Sequence, residues 1–295
     1  MRNLLTLTAF ALATSAFAQE TQEYVTPASV VAAAQPKEWV AIEPDDLLIM
    51  ELAPAEDGSG RYVVIQLMPP PFSQAWVENI RTLARAGWWD GLSVYRSVDN
   101  WVVQWGDVTE EKALPEGVVS PEEAYSTAIA NLGRPLIEES LDMTFEGITD
   151  NRFAWLDGHS GFPRTGHYAD VEVWVDGWPI AANLAANSVW PIHCYSHVGV
   201  ARDIDNTGTA SELYAVIGHA PRQLDRNIAV VGRVIEGMEF LSTLPRGTGE
   251  AGVYESRAED TPIVSVRLAS DHPDGATFAY EYLDTASESL SLIHI

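Results

Sequence analysis

The segment ARAGWWDGLSVYRSVDNWVVQWGD, residues 84–107, decides the fold of this chain. Residues 94–98 alternate as the two faces of a strand do, and a second apolar run begins at Trp101, after the turn residues Asp99 and Asn100. This pattern is typical of two strands joined by a short turn. The segment therefore predicts a β-hairpin.

One arginine, Arg96, lies within this largely apolar hairpin, and pairing of the two strands would bring it close to Trp101 and Gln104. A guanidinium beside an aromatic wall and a side-chain amide is costly to assemble, because burial removes its hydration. The arrangement is favoured where a protein binds a polar group on an apolar body. We therefore expect a binding site on this surface of the hairpin.

Other patterns predict the remaining elements of the fold. Apolar residues at 47–52 and 61–68 flank the turn residues 56–60 and indicate a second hairpin. Apolar residues at helical spacing after Ser73, which we expect to cap the helix, predict a helix that ends near Gly87. Three further elements are expected, helices within 121–132 and 234–244 and a strand at 263–268.

The hairpin segment resembles the central motif of the cyclophilin-type peptidyl-prolyl isomerases, in which Tyr-Asp-Gly and Phe-His-Arg lead to Phe-Met-Ile-Gln-Gly-Gly-Asp. The corresponding runs here are Trp89-Asp90-Gly91, Val94-Tyr95-Arg96 and WVVQWGD at 101–107. A second block matches downstream, at residues 200–202, 211–214, 224–225 and 231–238. Two long blocks in the order of the family make this resemblance specific.

The resemblance implies a mainly β fold, a closed eight-stranded barrel with two capping helices, and isomerisation of X–Pro bonds without a cofactor or metal. Arg96 matches the arginine that donates to the prolyl nitrogen as the bond twists, and Gln104 matches the glutamine that positions the substrate and the arginine. The resemblance assigns further substrate-binding residues, namely Trp101, Val102, Ala201, Glu212, Tyr214 and Leu224.

The chain departs from the family pattern in several places. Trp101 and Tyr214 occupy positions where phenylalanine is usual in the family. Gln223 occupies a position where an aromatic residue is common, and Ile228 replaces a histidine. These departures leave two functions open. One is a peptidyl-prolyl isomerase that assists the folding of exported proteins, and the other is a catalytically weak or inactive module that binds proline-containing peptides.

Two further departures concern charge, because Arg202 and Glu212 replace neutral amides of the family. They lie ten residues apart, on either side of the loop at 206–208. We expect the two side chains to form an ion pair across the groove floor.

The domain organisation follows from the two matching blocks. Residues 37–270 are expected to form the barrel domain and residues 271–295 a C-terminal tail. The interval 108–195 is far longer than a hairpin connection needs and is expected to be an insertion. We predict that it walls the groove or limits access to it; an expanded surface loop with its own small core is the alternative.

The N-terminus has the pattern of a bacterial export signal. A short basic start precedes an apolar run, residues 4–17, that is too short to span a bilayer, and Ala16-Phe17-Ala18 matches a cleavage site. We expect residues 1–18 to be a signal peptide and 19–36 a flexible segment. The mature protein is then periplasmic or secreted, with no membrane insertion after removal of the signal.

Composition narrows the class of partner. The formal net charge of -25 over 295 residues disfavours nucleic acid, whose phosphates would repel the chain. Cys194 is the one cysteine, so no disulfide can form within the chain. We expect a monomer that binds proline-containing polypeptides.

Two other chemistries have partial signals. His193, Cys194 and His197 have a spacing seen at metal sites, but zinc needs three or four ligands, which favours a buried structural cluster. Several aspartates could suggest a paired-carboxylate hydrolase. All of them occupy turn positions, where carboxylates cap backbone amides. These aspartates are Asp90, Asp99, Asp107 and Asp225.

Overall fold

The computed structural model of the protein describes residues 26–133, 168–285 and 287–293. The strands of this part of the chain are β1 (Trp39–Ala41), β2 (Leu47–Leu52), β3 (Arg61–Leu67), β4 (Ser93–Ser97), β5 (Val102–Gly106), β6 (Val171–Val175), β7 (Trp178–Asn183), β8 (Ser188–Pro191), β9 (His197–Val200), β10 (Leu213–Val216), β11 (Val230–Glu236), β12 (Thr261–Leu268) and β13 (Glu281–Leu283). The α-helices are α1 (Pro27–Ala33), α2 (Gln74–Arg85), α3 (Met238–Ser242) and α4 (Glu288–Ile293).

Eight of these strands close into an antiparallel barrel, in the order β10-β5-β4-β12-β2-β3-β11-β9. Closure leaves no unpaired sheet edge, since β9 pairs with β10 as well as with β11. Both predicted hairpins are present, β2 with β3 and β4 with β5. The prediction of a mainly β, eight-stranded barrel is therefore confirmed.

Helix α2 covers the barrel, and its apolar residues recur at helical spacing on the buried face. Trp76, Ile80 and Leu83 are fully buried and belong to the main core. Ser73 does not cap the helix as predicted, because it has a left-handed backbone and its side chain makes no capping bond. The side chain of Glu123 instead accepts from the backbone N–H of Ala75 at 3.1 Å.

Two other predicted helices differ from the structure. Within 121–132, only Ile129–Leu132 is helical, as a short 3-10 turn. The backbone of Thr127 exchanges hydrogen bonds with Val189 of β8 instead, which holds the preceding residues out of a helix. Residues 234–236 continue strand β11, and the helix predicted for 234–244 is reduced to α3.

The described end of the interval 108–195 forms a three-stranded sheet, β6-β7-β8, which we call the outer sheet. One face joins the main core through residues such as Val171, Ile180 and Val189. The opposite face carries Ala181 and Trp190, which form a separate buried cluster. The outer sheet is thus packed on both faces.

The two ends of the described chain meet. Strand β1 pairs with β13, and α1 lies beside α4. Helix α1 falls within the segment predicted to be flexible, and β13 and α4 fall within the predicted C-terminal tail. The predicted signal peptide, residues 1–18, lies outside the described residues. No described helix is long and apolar enough to cross a membrane.

Candidate functional site

The hairpin of β4 and β5 brings Arg96 together with its two expected neighbours. Strand pairing places Arg96 opposite Gln104, and Nη1 of the arginine donates to Oε1 of the glutamine at 2.8 Å. The guanidinium carbon lies 5.5 Å from the centroid of the Trp101 ring. The three side chains therefore share one surface, as their spacing in the sequence predicts.

The loop after α3 holds the other side of the Arg96 guanidinium. Nε of Arg96 donates to the carbonyl oxygen of Ala251 at 2.7 Å, and the backbone of Arg96 forms a β-bridge with Val253. Burial lowers the pKa of Arg96, but an arginine stays charged across the physiological range. Among the described residues, no acceptor bonds to Nη2. This nitrogen therefore retains a donor for a ligand.

A buried hydrogen-bond chain continues from the arginine. Gln104 donates from Nε2 to the hydroxyl of Tyr95, which donates to Oε2 of Glu212 at 2.7 Å. The other oxygen of Glu212 accepts from the backbone N–H of Asp107. Burial raises the pKa of Glu212, while these hydrogen bonds act in the opposite direction. Tyr95 and Glu212 thus fix the orientation of Gln104, and Gln104 in turn fixes that of Arg96.

The sequence analysis did not assign Tyr95 or Gly106 to the site. Tyr95 donates a hydrogen bond to the partly buried carboxylate of Glu212, and Gly106 leaves room for that carboxylate. A Cβ at Gly106 would lie 2.1 Å from Oε1 of Glu212. A charged residue directly before the buried strand β10 was the available signal, because such a residue requires nearby donors.

The predicted ion pair between Arg202 and Glu212 is wrong. Glu212 is bonded to Tyr95 and to the backbone of Asp107, whereas Arg202 reaches the loop before β11. There it donates from Nη2 to Oδ1 of Asn227 at 2.7 Å and from Nε to the Asn227 carbonyl at 3.1 Å. Each side chain finds its partners on its own side of strand β10.

An apolar cluster adjoins Arg96. Its buried members are Val102, Tyr214, Val216 and Leu224, with Trp101, Ala201 and Ile228 packed against them. It contains all five apolar or aromatic residues that the resemblance assigns to substrate binding, and it adds Val216 and Ile228. Glu212 is not a member, since its carboxylate lies in the buried chain beneath Gln104.

Strand pairing explains how the apolar cluster forms. Tyr214 and Val216 on β10 pair with Gln104 and Val102 on β5, which aligns the two strands beside the arginine. Leu224 comes from a 3-10 turn, and its carbonyl accepts from the backbone N–H of Ile228 at 3.0 Å. The isoleucine therefore extends the apolar wall.

The alternative chemistries find no support in the described part of the chain. No group of three His, Cys, Asp or Glu side chains there is placed to hold a metal ion. His193 and His197 are both buried. Asp107 accepts from the backbone N–H groups of Thr109 and Lys112, at 3.0 and 2.7 Å, as expected of a turn carboxylate.

Comparisons with known proteins agree with the barrel fold. The family described as cyclophilin type peptidyl-prolyl cis-trans isomerase/CLD matches residues 63–268. AquaCyp293, a cyclophilin from Hirschia baltica, has a crystal structure that aligns with a TM-score of 0.59 and 20% identity, over 91% of this chain and 90% of that chain. At this identity the likeness establishes the fold alone.

A crystal structure of a cyclophilin type peptidyl-prolyl cis-trans isomerase from Cryptosporidium parvum, in the presence of the dipeptide Ala-Pro, aligns more loosely. Its TM-score is 0.39 at 10% identity, over 75% of this chain and 98% of that chain. No curated protein sequence matches the chain. The family match spans more than half of the sequence and includes both the hairpin and the apolar cluster. The chain therefore belongs to the cyclophilin-type peptidyl-prolyl cis-trans isomerase family.

Proposed function

We propose that this protein catalyses cis/trans isomerisation of X–Pro bonds in exported polypeptides. One observation carries the proposal. Arg96 is held by Gln104 and Ala251 through Nη1 and Nε, and it lies beside the apolar cluster. Its third nitrogen, Nη2, bonds to no described residue. The cluster would take the proline ring, and the free nitrogen would face the amide that twists.

The chemistry needs no more than this. Rotation about the amide bond faces a barrier of about 18–20 kcal/mol, because resonance is lost as the bond twists. The prolyl nitrogen then regains its lone pair and becomes a better hydrogen-bond acceptor. A donor that is already oriented binds this twisted state more tightly than the planar one, which lowers the barrier. Arg96 is the donor, and the apolar cluster keeps the ring from turning with the chain.

The buried chain beneath Gln104 makes the donor rigid. An arginine in water loses rotamer freedom when it binds, but Arg96 already has its Nε and Nη1 engaged. Less reorganisation is then required as the amide twists. Periplasmic or secreted clients are part of the same proposal, supported by the pattern of residues 1–18. A monomeric state is proposed with them.

A proline-peptide binder without catalysis is the second candidate. Gln223 favours it, since this residue is exposed and adds no aromatic wall beside Leu224. A binder would use the same apolar cluster and would not need the orientation of Arg96.

Exchange NMR on short X–Pro peptides separates the two functions. We expect the mature chain to accelerate cis/trans exchange at substoichiometric concentration, and Arg96→Ala to lower this rate more than tenfold, because one oriented donor contributes about 2.7–4 kcal/mol. Arg85→Ala is the matched control, since Arg85 makes surface ion pairs with Asp45 and Asp271. Peptide binding without faster exchange, or full activity of Arg96→Ala, would contradict the proposal.

A further inference from the structure

A buried polar chain lies directly behind the apolar cluster. The hydroxyl of Tyr214 is 2.9 Å from Nε2 of His193, and Nδ1 of His193 is 3.0 Å from Oδ1 of Asp225. The side chains of His193 and Asp225 are 0% and 3% exposed. The rings of His193 and Tyr214 are nearly parallel, with an interplanar angle of 12°. Neither His193 nor Asp225 belongs to the apolar cluster itself.

The series of hydrogen bonds from Tyr214 through His193 and Asp225 continues to the outer sheet. Arg222 donates from Nε to Oδ2 of Asp225 at 2.6 Å and from Nη1 to Oε1 of Glu172 on β6 at 2.5 Å. The backbone N–H of His193 donates to Oδ1 of Asp225 at 3.0 Å. Burial acts to raise the pKa of Asp225, but the hydrogen bonds from His193 and Arg222 outweigh it and lower that pKa. Asp225 is therefore a carboxylate, and Nδ1 of His193 carries a proton.

These residues come from three separate parts of the fold. Tyr214 lies on barrel strand β10, His193 follows β8 of the outer sheet, and Asp225 is the neighbour of Leu224. A phenylalanine at position 214, which is usual in the family, would have no hydroxyl for His193 to bind. In this protein a phenol, an imidazole and a carboxylate are buried together, and their burial is costly unless each is hydrogen-bonded.

We propose that His193 and Asp225 are positioning residues for the proline pocket, holding the ring of Tyr214 and the side chain of Leu224 at a fixed separation. The inference rests on the proposed function in one respect, that the apolar cluster takes the proline ring. His193 fixes Tyr214 through the phenol oxygen. Asp225 fixes His193 by two hydrogen bonds and carries Leu224 next to it in the chain. The outer sheet thereby sets the shape of the pocket through His193 and Glu172.

The kinetic signature follows from when the pocket is used. It holds the proline ring in the planar and twisted states alike, so its distortion removes binding common to both. His193→Leu should therefore raise KM for a proline tetrapeptide about tenfold, the scale of one lost buried hydrogen bond, and change kcat far less. Arg96→Ala acts on kcat by contrast, because its donor is needed as the amide twists.

Two variants make the test specific. His193→Gln offers an amide that can accept from Tyr214 and donate to Asp225, so it should restore most of the lost affinity. His197→Leu is the matched control, because His197 is a second buried histidine, four residues along, with no bond to Tyr214. An unchanged KM in folded His193→Leu, or an equal change in His197→Leu, would overturn the proposal.

A readout independent of catalysis keeps the inference testable in every case. The imidazole 15N NMR signals of His193 should change in Tyr214→Phe, because Nε2 bonds to the phenol in the native protein. This variant removes only the hydroxyl and serves if His193→Leu does not fold. Chemical-shift titration with the dipeptide Ala-Pro should show weaker binding to His193→Leu and to Tyr214→Phe than to the native protein. If the protein lacks isomerase activity, the proposed function fails, but these two measurements still decide the positioning roles; His193 signals that are identical in the native protein and in Tyr214→Phe would refute them.

Discussion

Gln104 joins Arg96 to Tyr95: it accepts from Nη1 of the arginine at 2.8 Å and donates from Nε2 to the phenol oxygen. One amide group thus uses its acceptor toward Arg96 and its donor toward Tyr95. The phenol in turn donates to Glu212, which is partly buried and accepts from the backbone N–H of Asp107. The arginine is oriented by a structure that reaches across the β4–β5 hairpin to β10.

Removal of this amide should lower catalysis without preventing folding. Gln104→Leu keeps the size of the side chain but deletes both hydrogen bonds, so Arg96 loses one of its two anchors. We expect kcat/KM in peptide exchange to fall about tenfold or more, mainly through kcat, because the orientation of a donor in the twisted state is lost.

A second Arg–Gln pair provides the control for this variant. Arg233 donates from Nε to Oε1 of Gln66 at 2.9 Å, away from the apolar cluster and beside Trp178. Gln66→Leu should lower the free energy of unfolding and leave kcat/KM unchanged. Equal losses of activity in the two variants would show that Gln104 acts only through stability.

Gly106 and Glu212 should be coupled in stability. A methyl group at Gly106 would meet the Glu212 carboxylate at 2.1 Å, and φ there is +146°, which disfavours a side chain. Gly106→Ala should lower the free energy of unfolding by about 1–3 kcal/mol, the usual cost of overpacking. Glu212→Ala removes the obstruction, so the double variant should be more stable than the sum of the single effects predicts.

Urea unfolding of the two single variants and the double variant measures this coupling. Gly58→Ala separates the backbone contribution, because Gly58 also has a positive φ, +83°, but nothing lies within 4 Å of its added Cβ. Strict additivity between Gly106→Ala and Glu212→Ala would mean that the carboxylate does not occupy the space beside Gly106.

His197 should make stability depend on pH. Burial lowers its pKa from the ordinary 6.5 to about 4. Between these values the unfolded chain binds the proton and the folded chain does not, so the free energy of unfolding falls as the pH falls through this window. The contribution is at most about 3 kcal/mol. His197→Leu should lose less stability than the native protein between pH 7 and pH 4, values that bracket the window.

Denaturation midpoints across this range provide the measurement. His219 is solvent-exposed, so His219→Leu should follow the native protein at every pH. If His197→Leu and the native protein lose stability in parallel, the buried imidazole accepts its proton without cost, and its environment is more polar than the fold indicates.

Local patterns in the sequence were enough for the hairpins and for α2, because their hydrogen bonds and apolar periodicity lie within short segments. The helix predicted within 121–132 failed because Thr127 pairs with Val189, more than sixty residues away. The ion pair predicted for Arg202 and Glu212 failed for the same reason. Spacing along the chain indicated proximity, but it could not show that Tyr95 and Asp107 are nearer partners of the carboxylate.

The site divides in the same way. Arg96, Gln104 and Trp101 share one hairpin, so their spacing was informative. His193 lies in the interval that the sequence predicts to be an insertion, and its contact with Tyr214 depends on how the outer sheet packs. The role of a residue that supports a pocket from behind is set by tertiary packing, which a single sequence does not specify.

The interval 108–195 is still predicted to limit access to the groove, and the structure indicates how to test this. Removal of the whole interval would delete His193 and the core residues of the outer sheet, such as Ile180 and Val189. Residues 134–167 should instead be replaced by a flexible Gly-Ser linker. We expect activity on a proline tetrapeptide close to that of the full chain, because Arg96 and the apolar cluster are retained.

Activity on an unfolded protein whose refolding is limited by proline isomerisation should change by a different factor, because a segment that limits access to the groove acts on a large client more than on a tetrapeptide. The comparison uses the ratio of the two activities, so a uniform loss from poorer folding cancels. Arg96→Ala in the shortened chain is the control, since it should abolish both activities if they come from the same site. If the deletion scales both activities equally, the segment has no part in access to the groove.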